Sequence, residues 1–193
     1  MIGFETQRLR IEAAAVRHAS LLPPFFARNR AHFAPWDPPR PAAIETTEYW
    51  ERQLEQAEAE FDEVRAARFV VFERAVVAPM LIGRVNFTQI FRGPFQSCVL
   101  GYQIDHAFEG RGLMHEALGA CIAFMFRDFR LHRIQAGFRP ENERSARLLT
   151  RLGFQRIGIA RDYLFIDHAW RDHVLMALVN PDFDDSAVAK PGR

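Results

Sequence analysis

Apolar and polar positions along this chain keep two alternating rhythms, and each change of rhythm marks an element. Residues 8–13 alternate one by one, as an edge strand does. Residues 16–30 carry helical spacing, and Pro23-Pro24 near the middle predicts a break or two short helices. The proline-dense stretch 35–41 around Trp36 predicts a loop. Between 46 and 64, Trp50, Leu54, Ala57, Phe61 and Val64 fall on one stripe at three-four spacing, which predicts an amphipathic helix. Strands are expected at 68–72, 81–90 and 97–104, with a loop holding Pro79 between the first two. A helix over 113–126, a strand over 132–138 and a helix opened by Asn142 follow. Strands over 154–166 and 170–179 close the pattern, joined by a turn at Asp167-His168-Ala169.

No repeat or second domain interrupts this series, so one domain over 1–183 is expected. The small, polar tail from Asn180 is expected to fray, with 184–193 disordered. A chain of 193 residues with 49% apolar content is long enough for one well-buried core. No apolar run approaches twenty residues, and residues 1–10 lack the apolar segment of a secretion signal. A net charge of +1 gives no mandate for nucleic-acid binding. Cys98 and Cys121 fall in predicted core segments and read as reduced thiols of a cytoplasmic protein. No cluster has metal-ligand spacing, so no metal is expected.

Candidate chemistry concentrates at Gly110-Arg111-Gly112-Leu113-Met114, directly after the strand ending at Ile104 and at the start of a helix. Such a loop aims backbone N–H groups and a helix dipole at one point, where a phosphate or pyrophosphate fits. A dinucleotide fingerprint needs glycine or alanine where this chain has His115, and no Gly-Lys-Ser/Thr run supports a Walker loop. A structural turn without ligand remains open on these residues alone. A second block runs from Arg139 to Phe154, in which Asn142 caps a helix, Ala146, Leu149 and Leu152 mark one face, and Gly153 stops it.

The two blocks together resemble the GCN5-related N-acetyltransferase superfamily, and within it the RimJ-type ribosomal-protein-alanine N-acetyltransferases. The resemblance covers residues 5–183. It rests on Leu100-Gly101-Tyr102, Gly110-x-Gly112-Leu113-Met114-x-Glu116-Ala117-Leu118, Asn142-x-Arg144-Ser145 and Leu152-Gly153-Phe154. It rests also on Asn29-Arg30-x-x-Phe33-x-Pro35-Trp36, Asp162-Tyr163-Leu164 and Trp170-Arg171-Asp172-His173-Val174. Two positions depart from the superfamily pattern. Ala107 stands where glutamine or arginine is common, and Leu149 where many members carry a tyrosine that protonates the departing thiolate.

The resemblance implies a single α/β domain. Its sheet is mixed, mostly antiparallel and seven-stranded, splayed at the central strand, with helices on both faces. It implies acetyl-CoA held by Gly110, Arg111, Gly112, Leu113 and Met114, by backbone contacts at Ile104 and Asp105, and by Asn142. Ser145 is the implied thiolate acid, as in a related ribosomal-protein acetyltransferase subfamily. That subfamily's glutamate base falls on Leu164 here, which leaves Asp162 as the candidate base if the strand is regular. Asp172-His173 reads like an acid–imidazole pair, but neighbours in a strand point to opposite faces. Phe33 and Trp36 are candidate acceptor-site residues, and the many glutamates of the 46–64 helix read as a solvated face or an acidic wall.

The implied acceptor is a protein N-terminal α-amine, alanine of a small-subunit ribosomal protein, attacked directly in a ternary complex by a monomer or homodimer. An α-amine has a pKa of about 7.7–8.0 against about 10.4 for lysine, so a site with no strong base favours the α-amine. The rivals are a small-molecule amine acetyltransferase and an acyl-CoA-binding or ribosome-assembly protein with little turnover.

Overall fold

The computed structural model describes residues 2–74 and 80–189, so the loop expected around Pro79 and the end of the tail, 190–193, lie outside the described residues. Eight strands form one sheet in the order β1-β2-β3-β4-β5-β6-β8-β7. They are β1 (Gly3–Glu5), β2 (Leu9–Ala13), β3 (Ala67–Glu73), β4 (Leu81–Phe91), β5 (Ser97–Ile104), β6 (Arg133–Phe138), β7 (Gln155–Ile166) and β8 (Ala169–Val179). Every neighbouring pair is antiparallel except β5 with β6. The expected seven strands become eight because β1 adds a three-residue edge, too short for alternation to reveal.

Two helices cover one face. Leu113, Met114, Ala117, Leu118, Cys121 and Met125 of α4 (Leu113–Arg127) are buried against Leu100, Ile134 and Ala136 of the central strands. Leu148 and Leu149 of α5 (Glu143–Arg151) join the same core. Both cysteines are buried free thiols, and burial raises Cys98 to about 12.

The opposite face is covered by α1 (Leu22–Arg28), α2 (Arg30–Phe33) and α3 (Thr47–Asp62). The break expected at Pro23-Pro24 falls at the start of α1, where a missing N–H costs nothing, and a 3₁₀ turn over Val16–Leu21 precedes it. Thr46 caps α3, its side chain accepting from the Tyr49 N–H at 3.3 Å. Trp50 stacks on Phe26 with ring centres 5.1 Å apart and donates its Nε1–H to the Ile44 carbonyl at 2.8 Å. This pairing holds the proline loop against α3, and that loop forms one wall of the cleft described next.

At the far end, Asp167 and His168 make a two-residue turn between β7 and β8, both with positive φ, as hairpin turns of this length require. The expected fraying does not begin at Asn180. That side chain is buried and donates to the Leu131 carbonyl at 3.2 Å, and Phe183 packs edge-on against His132. A short helix, α6 (Ser186–Ala189), ends the described chain.

Candidate active site

The sheet opens where β5 and β6 part. Their pairing runs from Ser97 opposite Arg133 to Leu100 opposite Ala136 and stops there. Beyond it β5 is held only by β4, and β6 only by β8. Asp105 donates its N–H to the Ile82 carbonyl at 2.8 Å, which fixes the phase of the β4–β5 ladder. In that phase Gly101 and Gln103 bond across to β4, while Tyr102 and Ile104 turn their backbone groups into the gap.

Asp105 is therefore a correction to the expected cofactor contacts. Its N–H is spent on Ile82, and its carbonyl accepts from Phe108 at 2.9 Å. Its buried carboxylate takes a hydrogen bond from the Arg28 guanidinium and another from the Ala107 N–H at 3.0 Å. Burial opposes ionisation, but these donors together hold the carboxyl below its usual value. Asp105 anchors α1 to the end of β5, and Ile104 alone of the two offers backbone groups to the gap.

On the α4 side, Gly110 and Gly112 adopt φ of 72° and 74°, a region costly for other residues, and Gly112 is the residue that starts α4. The N–H groups of Gly110, Arg111, Gly112, Leu113 and Met114 find no acceptor among the described residues, and they sit at the positive end of a 15-residue helix. The loop is fixed from outside. Arg8 donates to the Arg111 carbonyl at 2.9 Å and to Glu116 at 2.7 Å, and Glu116 also accepts from the Thr6 hydroxyl at 2.6 Å. Burial works against the Glu116 charge, yet the hydrogen bonds from Thr6 and Arg8 keep it below the ordinary range. The geometry is that of a backbone cradle for a pyrophosphate. Arg8 is a supporting residue that periodicity gave no reason to single out, because its partner lies 108 positions away.

Two cavities reach the gap from opposite sides. A narrow one of about 120 Å³ lies towards the loop and includes Ile104, Met114 and Arg144 in its walls. A wider one of about 490 Å³ lies on the α1–α3 side, among Trp50, Arg84, Asn86, Arg139, Tyr163 and His173. They share Trp36, Asp37, Tyr102, Gln103, Asn142 and Ser145. A third cavity of about 460 Å³, among Phe26, Phe33, Ile44 and the prolines, meets this cleft through Phe33, Asp37 and Arg40 and contains none of its hydroxyls. Trp36 lines both cavities of the cleft. Phe33 is mostly core, its ring 5.5 Å from Phe25.

The shared wall holds the reactive groups. Asn142 caps α5, its Oδ1 accepting from the Ser145 N–H at 3.1 Å, so the Ser145 hydroxyl is not consumed in capping. Burial pushes the Tyr102 phenol up to about 12, and a polar contact with Ser145 opposes the shift. That contact falls short of hydrogen-bond geometry, and the Tyr102 hydroxyl is left buried without a full partner. Asp37 accepts from Arg40 at 2.6 Å and from the Gln103 amide. Burial outweighs these donors and holds its carboxyl above the usual range.

Asp162, expected as base, does not reach the cleft. Opposite Asp172 the β7 ladder slips between Ala160 and Leu164, and Asp162 sits in that bulge with φ of 46°. Its side chain is exposed, and its N–H bonds to Asp172 at 3.0 Å. The bulge turns Tyr163 and Leu164 into the wide cavity instead. On β8, Asp172 faces outward to Arg161, while His173 is buried and lines the cavity. Its Nδ1 meets the Arg171 carbonyl at 3.0 Å, an acceptor only, so in the neutral ring Nδ1 carries the proton and Nε2 the lone pair. Around it stand Tyr163, with ring centres 5.2 Å apart, and across the cavity Arg139, Arg84 and Asp37.

Among the described residues, three buried side-chain polar atoms lack a hydrogen bond: Asn86 Oδ1, the Tyr102 hydroxyl and Arg139 Nε, whose contact with Glu141 at 3.4 Å is misaligned. All three line the wide cavity. Buried polar groups are nearly always satisfied, so their collection in one cleft marks a place built for another molecule.

Residues 8–155 match the acetyltransferase (GNAT) domain family. The chain belongs to that family. Acetyl-CoA is accordingly its acyl donor. The acetyltransferase is 40% identical over 182 residues to the ribosomal protein uS5-alanine N-acetyltransferase of Escherichia coli (strain K12), covering 94% of this chain and 93% of that enzyme. Its structure matches a ribosomal-protein-S5-alanine acetyltransferase from Vibrio fischeri with a TM-score of 0.91 and 36% identity, over 95% of this chain and 100% of the other. It also matches Mycobacterium smegmatis RimJ in complex with CoA-disulfide, with a TM-score of 0.83 and 26% identity, over 94% and 86% of the two chains. No helix of the acetyltransferase, among the described residues, is long and apolar enough to cross a membrane.

Proposed function

We propose that this acetyltransferase transfers acetyl from acetyl-CoA to the N-terminal α-amine of a cytoplasmic ribosomal protein, with alanine of the small-subunit protein uS5 as the leading acceptor. The observation that carries this reading is the cleft made of two cavities that meet at Tyr102, Asn142 and Ser145, which gives each of two substrates its own approach. The near full-length likeness to uS5-alanine N-acetyltransferases supports the choice of acceptor.

Acetyl-CoA supplies the acetyl group as a thioester: a C–N bond to the amine forms as the C–S bond breaks, and CoA leaves as the thiol. The backbone cradle at 110–114 holds the pyrophosphate, and the Ile104 backbone in the gap and Asn142 lie along the route from that cradle to the junction. His173 Nε2 takes the proton lost by the attacking amine on the α1–α3 side. The Ser145 hydroxyl, backed by Tyr102, delivers a proton to the departing sulfur on the α5 side and regains one from solvent, to which His173 releases the amine's proton. His173 lines the wide cavity only, whereas Ser145 lies in the wall that both cavities share, so each can reach a different side of the reacting carbonyl. An α-amine suits an imidazole base, since roughly a tenth of it is already neutral near pH 7.

The test is release of free thiol from acetyl-CoA with an Ala-initiated uS5 peptide and with the same peptide blocked at its α-amine. Turnover on the free peptide alone is expected. Equal turnover on both, or none on either while acetyl-CoA still binds, refutes the reading.

A further inference from the structure

Arg84 and Asn86 are neighbours on the same face of β4, and each presents an unmet polar group to the wide cavity. Arg84 is 8% exposed, lies over the rings of Trp50 and Phe26 at 4.9 and 5.4 Å, and its guanidinium makes no salt bridge or hydrogen bond among the described residues. Burial, and then the charges of Arg40 and Arg68, press its pKa down to about 9, against the pull of Asp37. Asn86 Oδ1 is a buried acceptor without a donor. A lone buried cation and a lone buried acceptor two residues apart are both expensive to keep. The cost makes sense if a ligand supplies the partners.

The register says what that ligand looks like. Asn86 lies opposite Gly101 and Arg84 opposite Gln103, beside the part of β5 that has lost β6. A side chain at Gly101 would meet nothing within 4 Å, so a strip of open space runs over the strand here. Gln103 in turn holds Asp37, the carboxylate at the junction of the cavities. Along this strip the protein offers a carboxylate, a cationic donor and an amide acceptor. The N-terminal residue of a peptide carries their complements: an ammonium, a carbonyl and the N–H of the next residue.

We infer that the strip reads the first peptide unit of the acceptor: Asp37 faces the α-ammonium, Arg84 donates to the first carbonyl, and Asn86 Oδ1 accepts from the second residue's N–H. This rests on the peptide reading above and deepens it. It follows that a small amine should be a poor acceptor, since a molecule lacking the carbonyl and N–H leaves Arg84 and Asn86 unpartnered.

The test crosses protein and peptide changes. Wild type and Asn86→Leu are assayed by thiol release on an Ala-initiated peptide and on the same peptide methylated at the second residue's nitrogen. Each change alone is expected to lower kcat/KM about tenfold, the worth of one buried hydrogen bond, and the two together no further. Arg84→Met is expected to raise KM for the peptide and to leave KM for acetyl-CoA unmoved. Leucine replaces an unsatisfied polar atom, so folding is not at risk, and a thermal melt checks this. Losses that multiply, or an Asn86→Leu enzyme as active as wild type, overturn the subsite while the peptide reading stands. Absence of turnover on the plain peptide with wild type overturns both.

Discussion

Replacing Tyr102 with phenylalanine separates catalysis from stability more cleanly than any other change in this cleft. The phenol is buried and has no full hydrogen-bond partner, with only an imperfect approach to Ser145. A buried hydroxyl left unsatisfied costs about 1–3 kcal/mol, so Tyr102→Phe should leave stability unchanged or raise it by up to about 1 kcal/mol. The same hydroxyl, when it backs Ser145 against a forming thiolate, is a hydrogen bond to a charged centre worth about 1.5–3 kcal/mol. At about 1.36 kcal/mol per tenfold, that is a fall in kcat of roughly ten- to a hundredfold, with KM for acetyl-CoA little changed. Denaturant unfolding at constant slope gives the first quantity and thiol release at saturating substrates the second. Because Ser145 and Tyr102 act together on the departing sulfur, Ser145→Ala should produce a similar fall and the double variant little more. A Tyr102→Phe protein destabilised by more than about 1 kcal/mol, or one with kcat within twofold of wild type, refutes the reasoning.

Three further outcomes are expected. His173→Gln should lower kcat/KM by about a hundredfold, the usual worth of a general base, with KM for acetyl-CoA little changed; activity close to wild type assigns the base to another group. Gly112→Ala places a side chain at φ of 74°, near Arg8, and should raise KM for acetyl-CoA severalfold at a cost of about 1–2 kcal/mol in stability, read by titration and by melting. His18 is buried with Nδ1 accepting from the Ala15 N–H at 3.1 Å and Nε2 against Glu12. Burial first, then Arg17 and Arg10, lower its pKa to about 4. The unfolded imidazole binds its proton near pH 6.5, so this contribution is present above about pH 6.5 and is lost as pH falls through 4. A His18→Asn variant should be less steeply destabilised by acid over that window.

The sequence alone determined most elements and the place of the cofactor loop, because both are local. Alternation, helical spacing, the Asn142 cap and two glycines at a strand–helix junction are properties of neighbouring residues, and backbone physics acts on neighbours. The same locality explains the errors. Asp162 counted as a cleft residue only for a regular strand, and the bulge opposite Asp172 has no signature in the residues beside it. Asp105 offered a backbone contact by position, yet pairing with Ile82 and with Arg28 of a distant helix consumed it. Only tertiary structure could set His173 facing inward across from Asp37, or leave Asn86, Tyr102 and Arg139 without full partners in one cavity. Whether a polar atom is satisfied depends on what the fold brings opposite it, and strands separated by tens of residues decide that.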